Sequence, residues 1–157
     1  MPLLGTIEPL SIYVTLDTRA KEGDYHWGLI LTDAAAIPVL HDASNRDGPW
    51  TYRERCGYSA YFLTLIALIR VGDVSSHALA TELIQSSPAN GSPSFRTGEK
   101  FNCRIWVKDT LVALHDNAVT TLIADIDTIE KQAVSMGLKY ASISEAGEGA
   151  TVVNELF

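Results

Sequence analysis

Cysteine and long apolar runs are scarce in this chain of 157 residues, whose two cysteines are Cys56 and Cys103. Two cysteines do not make the disulfide framework of a small secreted protein. The first residues lack the basic and then apolar pattern of a signal peptide. The longest strongly apolar run, 60–71, is too short to span a bilayer and contains Arg70. We therefore expect a soluble protein in a reducing, cytoplasmic setting, with no membrane anchor.

Basic residues are also few. Lys and Arg total 12 against 19 Asp and Glu, which gives a net charge of −7. This balance, with no cluster of basic side chains, disfavours binding to a phosphate backbone. The His and Cys residues lack the close ligand pairs, such as CxxC or HxxxH, that are typical of metal sites. We expect no nucleic-acid partner, no metal and no cofactor, and the oligomeric state stays open.

The overall composition is that of a globular protein, with 46% apolar and 20% charged residues. A chain of this length can bury a core without staples, so we expect a single domain over 1–157. The segment beyond about 142 contains Gly147 and Gly149 among mixed polar residues. We expect that tail to be loosely held.

The first half of the chain has the pattern of a sheet. Runs rich in β-branched and aromatic residues predict strands at 11–16, 26–32, 36–41 and near 50–55, and weakly favour a strand over a helix at 57–71. The link 33–35 is short enough for a hairpin. His26 begins one strand of that hairpin and His41 ends the other, so antiparallel pairing brings both histidines to the same end of the sheet. Pro38 predicts an edge position for its strand.

The second half has the pattern of helices. The spacing predicts a helix over 77–85 capped by Ser75 or Ser76, one over 102–114 capped by Asn102, and one over 119–136 that ends at Gly137. The segment 86–98, rich in Ser, Pro and Gly, is expected to be a loop. The expected class is α+β, with an antiparallel sheet packed against the helix that carries Cys103.

These placements suggest the chemistry of a cysteine nucleophile. If Asn102 caps a helix, Cys103 occupies the first turn, where free N–H groups and the helix dipole favour a thiolate. The same N–H groups could stabilise an oxyanion. His26 would act as the base and His41 would orient the ring of His26. Taken singly, Cys103 would more often be a buried core residue, which is the commoner role of a lone cysteine in a helix.

The residues around this set carry a family resemblance. His26-Trp27-Gly28 opens an apolar strand, and Asn102-Cys103-x-x-Trp106 opens a helix much later. This order resembles the lecithin:retinol acyltransferase family, circularly permuted relatives of the papain-like peptidases in which a His-Trp strand precedes an Asn-Cys-x-x-Phe helix. PPPDE-type isopeptidases share the order.

The resemblance implies a permuted papain-like fold with Cys103 as nucleophile, His26 as base and His41 as the orienting third member. The flanking Trp27, Asn102 and Trp106 are then expected to contact the substrate. The expected activity is that of a cysteine-dependent acyl hydrolase or acyltransferase, acting through a thioester acyl-enzyme on an ester, thioester or amide. Two alternatives stay open: an isopeptidase acting on a protein modifier, and a non-catalytic binding or effector protein that keeps the fold.

Overall fold

The centre of the fold is a mixed β-sheet. The computed structural model of the chain describes residues 3–18, 25–56 and 64–155. Within these residues the strands are β1 (Leu3–Leu4), β2 (Ser11–Asp17), β3 (His26–Thr32), β4 (Pro38–Ser44), β5 (Thr51–Cys56), β6 (Leu65–Asp73) and β7 (Ala150–Val153). They form one sheet in the order β1-β7-β6-β2-β3-β4-β5. The first part of the run predicted at 57–71 lies outside the described residues, and the remainder is the strand β6.

The strands from β2 to β6 pair in antiparallel fashion. β3 and β4 form the expected hairpin, with Thr32 opposite Pro38 and Leu29 opposite His41. The edge position expected from Pro38 is wrong, because β4 lies between β3 and β5. Pro38 is the first residue of β4, and the pairing with β5 begins at Val39. The missing N–H of the proline therefore interrupts no pairing between those two strands.

The other end of the sheet is parallel, which corrects the expectation of a purely antiparallel sheet. β7 pairs in parallel with β1 on one side and with β6 on the other. The tail beyond 142, expected to be loosely held, thus supplies a strand between two others, and its Ala150 is fully buried. A strand of four residues is too short to show a recognisable alternation of polar and apolar side chains.

The helices of the described chain are α1 (His77–Ser86), α2 (Cys103–Asp116) and α3 (Ile126–Glu145). The first two begin at predicted caps: the Ser76 hydroxyl accepts the N–H of Leu79, and the Asn102 side chain accepts the N–H of Ile105. Such caps satisfy first-turn N–H groups that have no partner within the helix. None of these helices combines the length and the apolar character needed to cross a bilayer.

The third helix differs from its expected span of 119–136. It begins after Asp125, whose side chain accepts the N–H of Thr128 at 3.0 Å, and it continues past Gly137. Gly137 is buried against the sheet, where an added Cβ would lie 2.8 Å from Cδ1 of Leu16. This glycine permits close packing of α3 rather than ending the helix.

The helices enclose the main hydrophobic core against one face of the sheet. Trp106 and Leu111 of α2 and Ile129 of α3 pack there with inward side chains of the strands. A smaller cluster that includes Tyr13 and Ile30 lies on the opposite face. Because α2 packs against β3 and β4, its first residue lies beside the beginning of β3.

Candidate active site

The N-terminus of α2 holds Cys103 at the beginning of β3. Oδ1 of Asn102 accepts the N–H of Ile105 at 2.9 Å and fixes the first helical turn. The backbone N–H of Trp27 points at Sγ of Cys103 across 3.5 Å, and the carbonyl oxygen of Tyr25 lies 4.0 Å from the same sulfur. Cys103 is 5% exposed. The thiol therefore has a defined position, between a helix N-terminus and a strand N–H that both favour negative charge on sulfur.

His26 connects this thiol to a carboxylate. Its Nε2 lies 2.7 Å from Oδ2 of Asp42, and its ring is near enough to the thiol of Cys103 for the thiol to raise its pKa. Because Nε2 is engaged by Asp42, Nδ1 is the nitrogen left to meet the thiol. Burial lowers the pKa of His26, but its interactions with Asp42 and Cys103 outweigh burial and raise the pKa from 6.5 to about 9. The imidazolium form is thus favoured at neutral pH.

Asp42 is held by two arginines of β5, which we call the arginine clamp (Arg53 and Arg55). Arg53 donates from Nε to Oδ1 at 2.9 Å and from Nη2 to Oδ2 at 2.7 Å, while Nη2 of Arg55 lies 3.1 Å from Oδ2. The Asp42 side chain is 1% exposed. Burial raises the pKa of Asp42, but hydrogen bonds from His26 and Arg53 hold it well below its usual value of 3.8. A buried carboxylate with this many charge-assisted partners stays ionised and rigidly placed.

The register of the hairpin explains why Asp42, and not His41, meets His26. His41 lies opposite Leu29, so their side chains share the face that the helices cover. Side chains alternate along a strand, so Asp42 points to the other face, as does His26, three residues before Leu29. The contact expected between His26 and His41 is therefore wrong, although both residues lie toward the same end of the sheet.

His41 instead belongs to a packing cluster beneath α2. Its Nδ1 lies 2.5 Å from Oη of Tyr52, their rings are stacked 6.0 Å apart, and the Tyr52 ring is 6.1 Å from that of Trp106. Burial lowers the pKa of His41 to about 4, so its ring is neutral at pH 7. Its Nε2 is buried without a hydrogen-bond partner in the described chain. These contacts place His41 away from the base.

A cavity of about 640 Å³ opens over the thiol. Residues of β3, α2, α3 and the adjoining loops line it, including Tyr25, Trp27, Trp50, Asn102, Arg104 and Lys131. Two of the expected substrate contacts, Trp27 and Asn102, are therefore in place beside Cys103. Trp106 does not line this cavity. It is 1% exposed, and it borders a separate cavity of about 270 Å³ formed with the loop before α2.

The candidate site falls within a recognised sequence family. Residues 10–142 match a family of unknown function (DUF6914), well over half of the chain. The chain belongs to this family. His26, Asp42 and Cys103 all lie within the matched residues. No curated protein and no solved structure matches the chain.

Several residues of the candidate site were not predicted from the sequence. Asp42 adjoins His41 in the sequence, and a carboxylate is the usual partner of a catalytic histidine, so the signal for Asp42 was present. Arg53, Trp50 and Lys131 have no comparable signal, because only the folded chain brings them to the cavity or to Asp42. The described residues contain no group of three or more His, Cys, Asp or Glu placed to hold a metal ion.

The arrangement provides the three groups that a cysteine nucleophile needs. Cys103 offers a sulfur nucleophile, His26 offers an acid and base, and Asp42 fixes the ring orientation of His26. The cavity leaves room for a reactant on the open side of the sulfur. The set can therefore attack an electrophilic carbon and return a proton to a leaving group.

Proposed function

We propose that this protein is a cysteine-dependent acyl hydrolase or acyltransferase that works through a thioester acyl-enzyme on an ester, thioester or amide. The observation that carries the proposal is that His26, bonded at 2.7 Å to the buried Asp42, interacts with the thiol of Cys103, which lines the cavity. A buried cysteine that served only as core packing would need neither an imidazole nor a buried carboxylate behind that imidazole.

In the first half of the proposed reaction, the thiolate of Cys103 attacks the carbonyl carbon and forms a carbon–sulfur bond. The backbone N–H groups in the first turn of α2, apart from that of Ile105 which the Asn102 cap uses, can donate hydrogen bonds to the developing oxyanion. The tetrahedral intermediate then expels the leaving group, which takes a proton from the imidazolium of His26. The acyl group remains on sulfur as a thioester.

In the second half, the neutral His26 removes a proton from water or from another acceptor as it attacks the thioester carbon. Collapse of this intermediate breaks the carbon–sulfur bond and restores the thiolate beside the imidazolium. Asp42 keeps the same bond to Nε2 throughout, so Nδ1 faces the sulfur in both half-reactions. The arginine clamp holds Asp42 in place while the proton moves at the other nitrogen.

We also propose that the fold is a circularly permuted papain-like one. The strand with His26 precedes the cysteine helix along the chain, and that helix packs its N-terminus against the strand. This is the order expected of the permuted relatives. The parallel strands β1 and β7 at the far edge of the sheet are additions to the expected antiparallel pattern.

The test is the formation of an acyl adduct. Wild-type protein is mixed with p-nitrophenyl acetate or with a benzyl thioester of acetic acid, quenched in acid, and analysed by intact mass and peptide mapping. We expect one acetyl group on Cys103, formed at the same rate in the matched control Cys56→Ser. Cys103→Ser should form no rapid adduct, and His26→Ala should slow acylation by roughly 10²-fold or more.

Circular dichroism and melting curves show whether each variant is folded. Acetylation confined to Cys56, or equal acylation of wild type and Cys103→Ser, contradicts the proposal. Absence of any adduct with both donors, in protein that is shown to be folded, contradicts it as well.

A further inference from the structure

The wall of the cavity formed by α2 and α3 carries a nearly neutral ion network. Arg104 pairs with Glu130, and Nζ of Lys108 lies 3.0 Å from carboxylate oxygens of both Glu130 and Asp127. Two cations and two anions therefore neutralise one another. Glu130, the acidic side chain among the described lining residues, is already engaged by Arg104 and Lys108.

Lys131 is the surplus cation at this wall. It lines the same cavity as Cys103, it is exposed, and the described chain gives it no ion pair. The protein as a whole carries a net charge of −7, so a lysine without an ion pair among the described residues, at a cavity lined by the thiol, is not a consequence of a basic surface. The same cavity is also lined by the aromatic side chains of Trp27 and Trp50.

We infer that the acyl donor of this site carries an anionic group, a carboxylate, which Lys131 attracts while the apolar part of the donor packs against the tryptophans. This inference rests on the proposed function, because it names the substrate class of the same site. A cavity of about 640 Å³ suits a small donor of this kind. The carboxylate can belong to the acyl chain or to the leaving group, and the donors below separate the two.

The experiment compares donors that differ only in charge. The first pair consists of benzyl thioesters of glutaric acid, with a free carboxylate, and of glutaramic acid, with a neutral amide. The second pair has an acetyl group on 4-(mercaptomethyl)benzoate or on its neutral amide. Acylation rates are measured for wild type, Lys131→Glu, Lys131→Gln and the control Lys139→Glu, which lies eight residues further along α3, about 12 Å away.

Wild type should react roughly threefold faster with the anionic member of at least one pair, as expected for an attraction at a solvent-exposed rim. Lys131→Gln should abolish that ratio and Lys131→Glu should invert it, while Lys139→Glu keeps it. The pair that shows the ratio identifies which side of the donor carries the carboxylate. Equal rates in wild type, or a ratio that Lys131→Glu leaves unchanged, overturn the inference while the acyl chemistry stands.

A second readout does not depend on acyl chemistry. Alkylation of Cys103 by iodoacetate, which is anionic, is compared with alkylation by neutral iodoacetamide. The iodoacetate to iodoacetamide rate ratio should fall in Lys131→Glu relative to Lys139→Glu, and 1 M salt should shrink that difference because it screens charges beyond about 3 Å. If no donor acylates the protein, the proposed function fails, and an unchanged alkylation ratio then overturns the anion preference too.

Discussion

The substitution Asp42→Asn tests directly how His26 is held. Asparagine has nearly the same shape as aspartate but removes the negative charge that His26 and the arginine clamp share. We expect the pKa of His26 to fall, because burial, which by itself lowers that pKa, would no longer be outweighed by the bond to Asp42. The hydrogen bond that orients His26 through Nε2 would then come from a neutral side chain and would be weaker.

The structure gives the size of the effect. The pKa of His26 is about 9 against an ordinary 6.5, a difference of 9 − 6.5, or 2.5. At 1.36 kcal/mol per unit this is roughly 3 kcal/mol in favour of the imidazolium. The His26 side chain is 16% exposed, so solvent screens the interaction little. Because the hydrogen bond with Asp42 is the largest single interaction that raises the pKa of His26, we expect a fall of roughly one to two units.

This shift has a consequence for stability. A group whose pKa is higher in the folded than in the unfolded protein stabilises the fold fully below the unfolded value of 6.5, and the stabilisation is lost as pH rises through about 9. Wild type should therefore lose stability over that window, and Asp42→Asn should lose less. The variant should also be less stable at neutral pH, because the arginine clamp would face a neutral amide.

The assay is a proton NMR titration of the histidine ring protons. The chain has four histidines, and the signal of His26 is identified by its absence in His26→Gln. The matched control is His41→Asn, which should leave the titration of His26 within a few tenths of a unit because His41 bonds to Tyr52. An unchanged His26 titration in Asp42→Asn, or a large shift in His41→Asn, would refute this reasoning.

Three further predictions follow from individual contacts. Asn102→Ala removes the cap of α2, so it should cost about 1 kcal/mol in urea unfolding and slow the alkylation of Cys103; equal stability would contradict the cap. Gly28→Ala brings a Cβ within 2.8 Å of Oγ1 of Thr15. It should therefore lower the free energy of unfolding, measured in urea, by roughly 1–3 kcal/mol. An unchanged free energy of unfolding would show that β2 and β3 can separate freely. The pKa of His41 is lowered to about 4, so the fold should lose stability as pH falls from 6.5 to 4, by up to roughly 3 kcal/mol. The melting temperature of His41→Asn should change less with pH over that window than the melting temperature of wild type does.

Much of the local structure could be predicted because short-range patterns determine it. The strand that begins at His26, the hairpin to β4 and the caps Ser76 and Asn102 all follow from residues within a few positions of one another. The strand β7 could not be predicted, because only its pairing with β1 and β6 makes it a strand. Gly137 misled the helix prediction because its lack of a side chain serves packing on the sheet, which the sequence does not record.

The candidate site was predictable in part for the same reason. Cys103 at a helix N-terminus and His26 at the beginning of a strand are local features, and the structure brings them together. The choice between His41 and Asp42 depends on the face that each side chain occupies, and therefore on the register of β4 against β3. A register shifted by one residue would exchange the two, so only the folded hairpin decides between them.

The central claim is that Cys103 is an activated thiol, and competitive alkylation tests it most directly. Wild-type protein is exposed briefly to a low concentration of iodoacetamide at neutral pH, and the labelled cysteine is identified by peptide mapping. Cys56 is exposed and Cys103 is buried, so accessibility alone favours labelling of Cys56. The account predicts that Cys103 is alkylated first and that His26→Ala removes most of this advantage. Faster labelling of Cys56, with Cys103 unreactive in the folded protein, would contradict it.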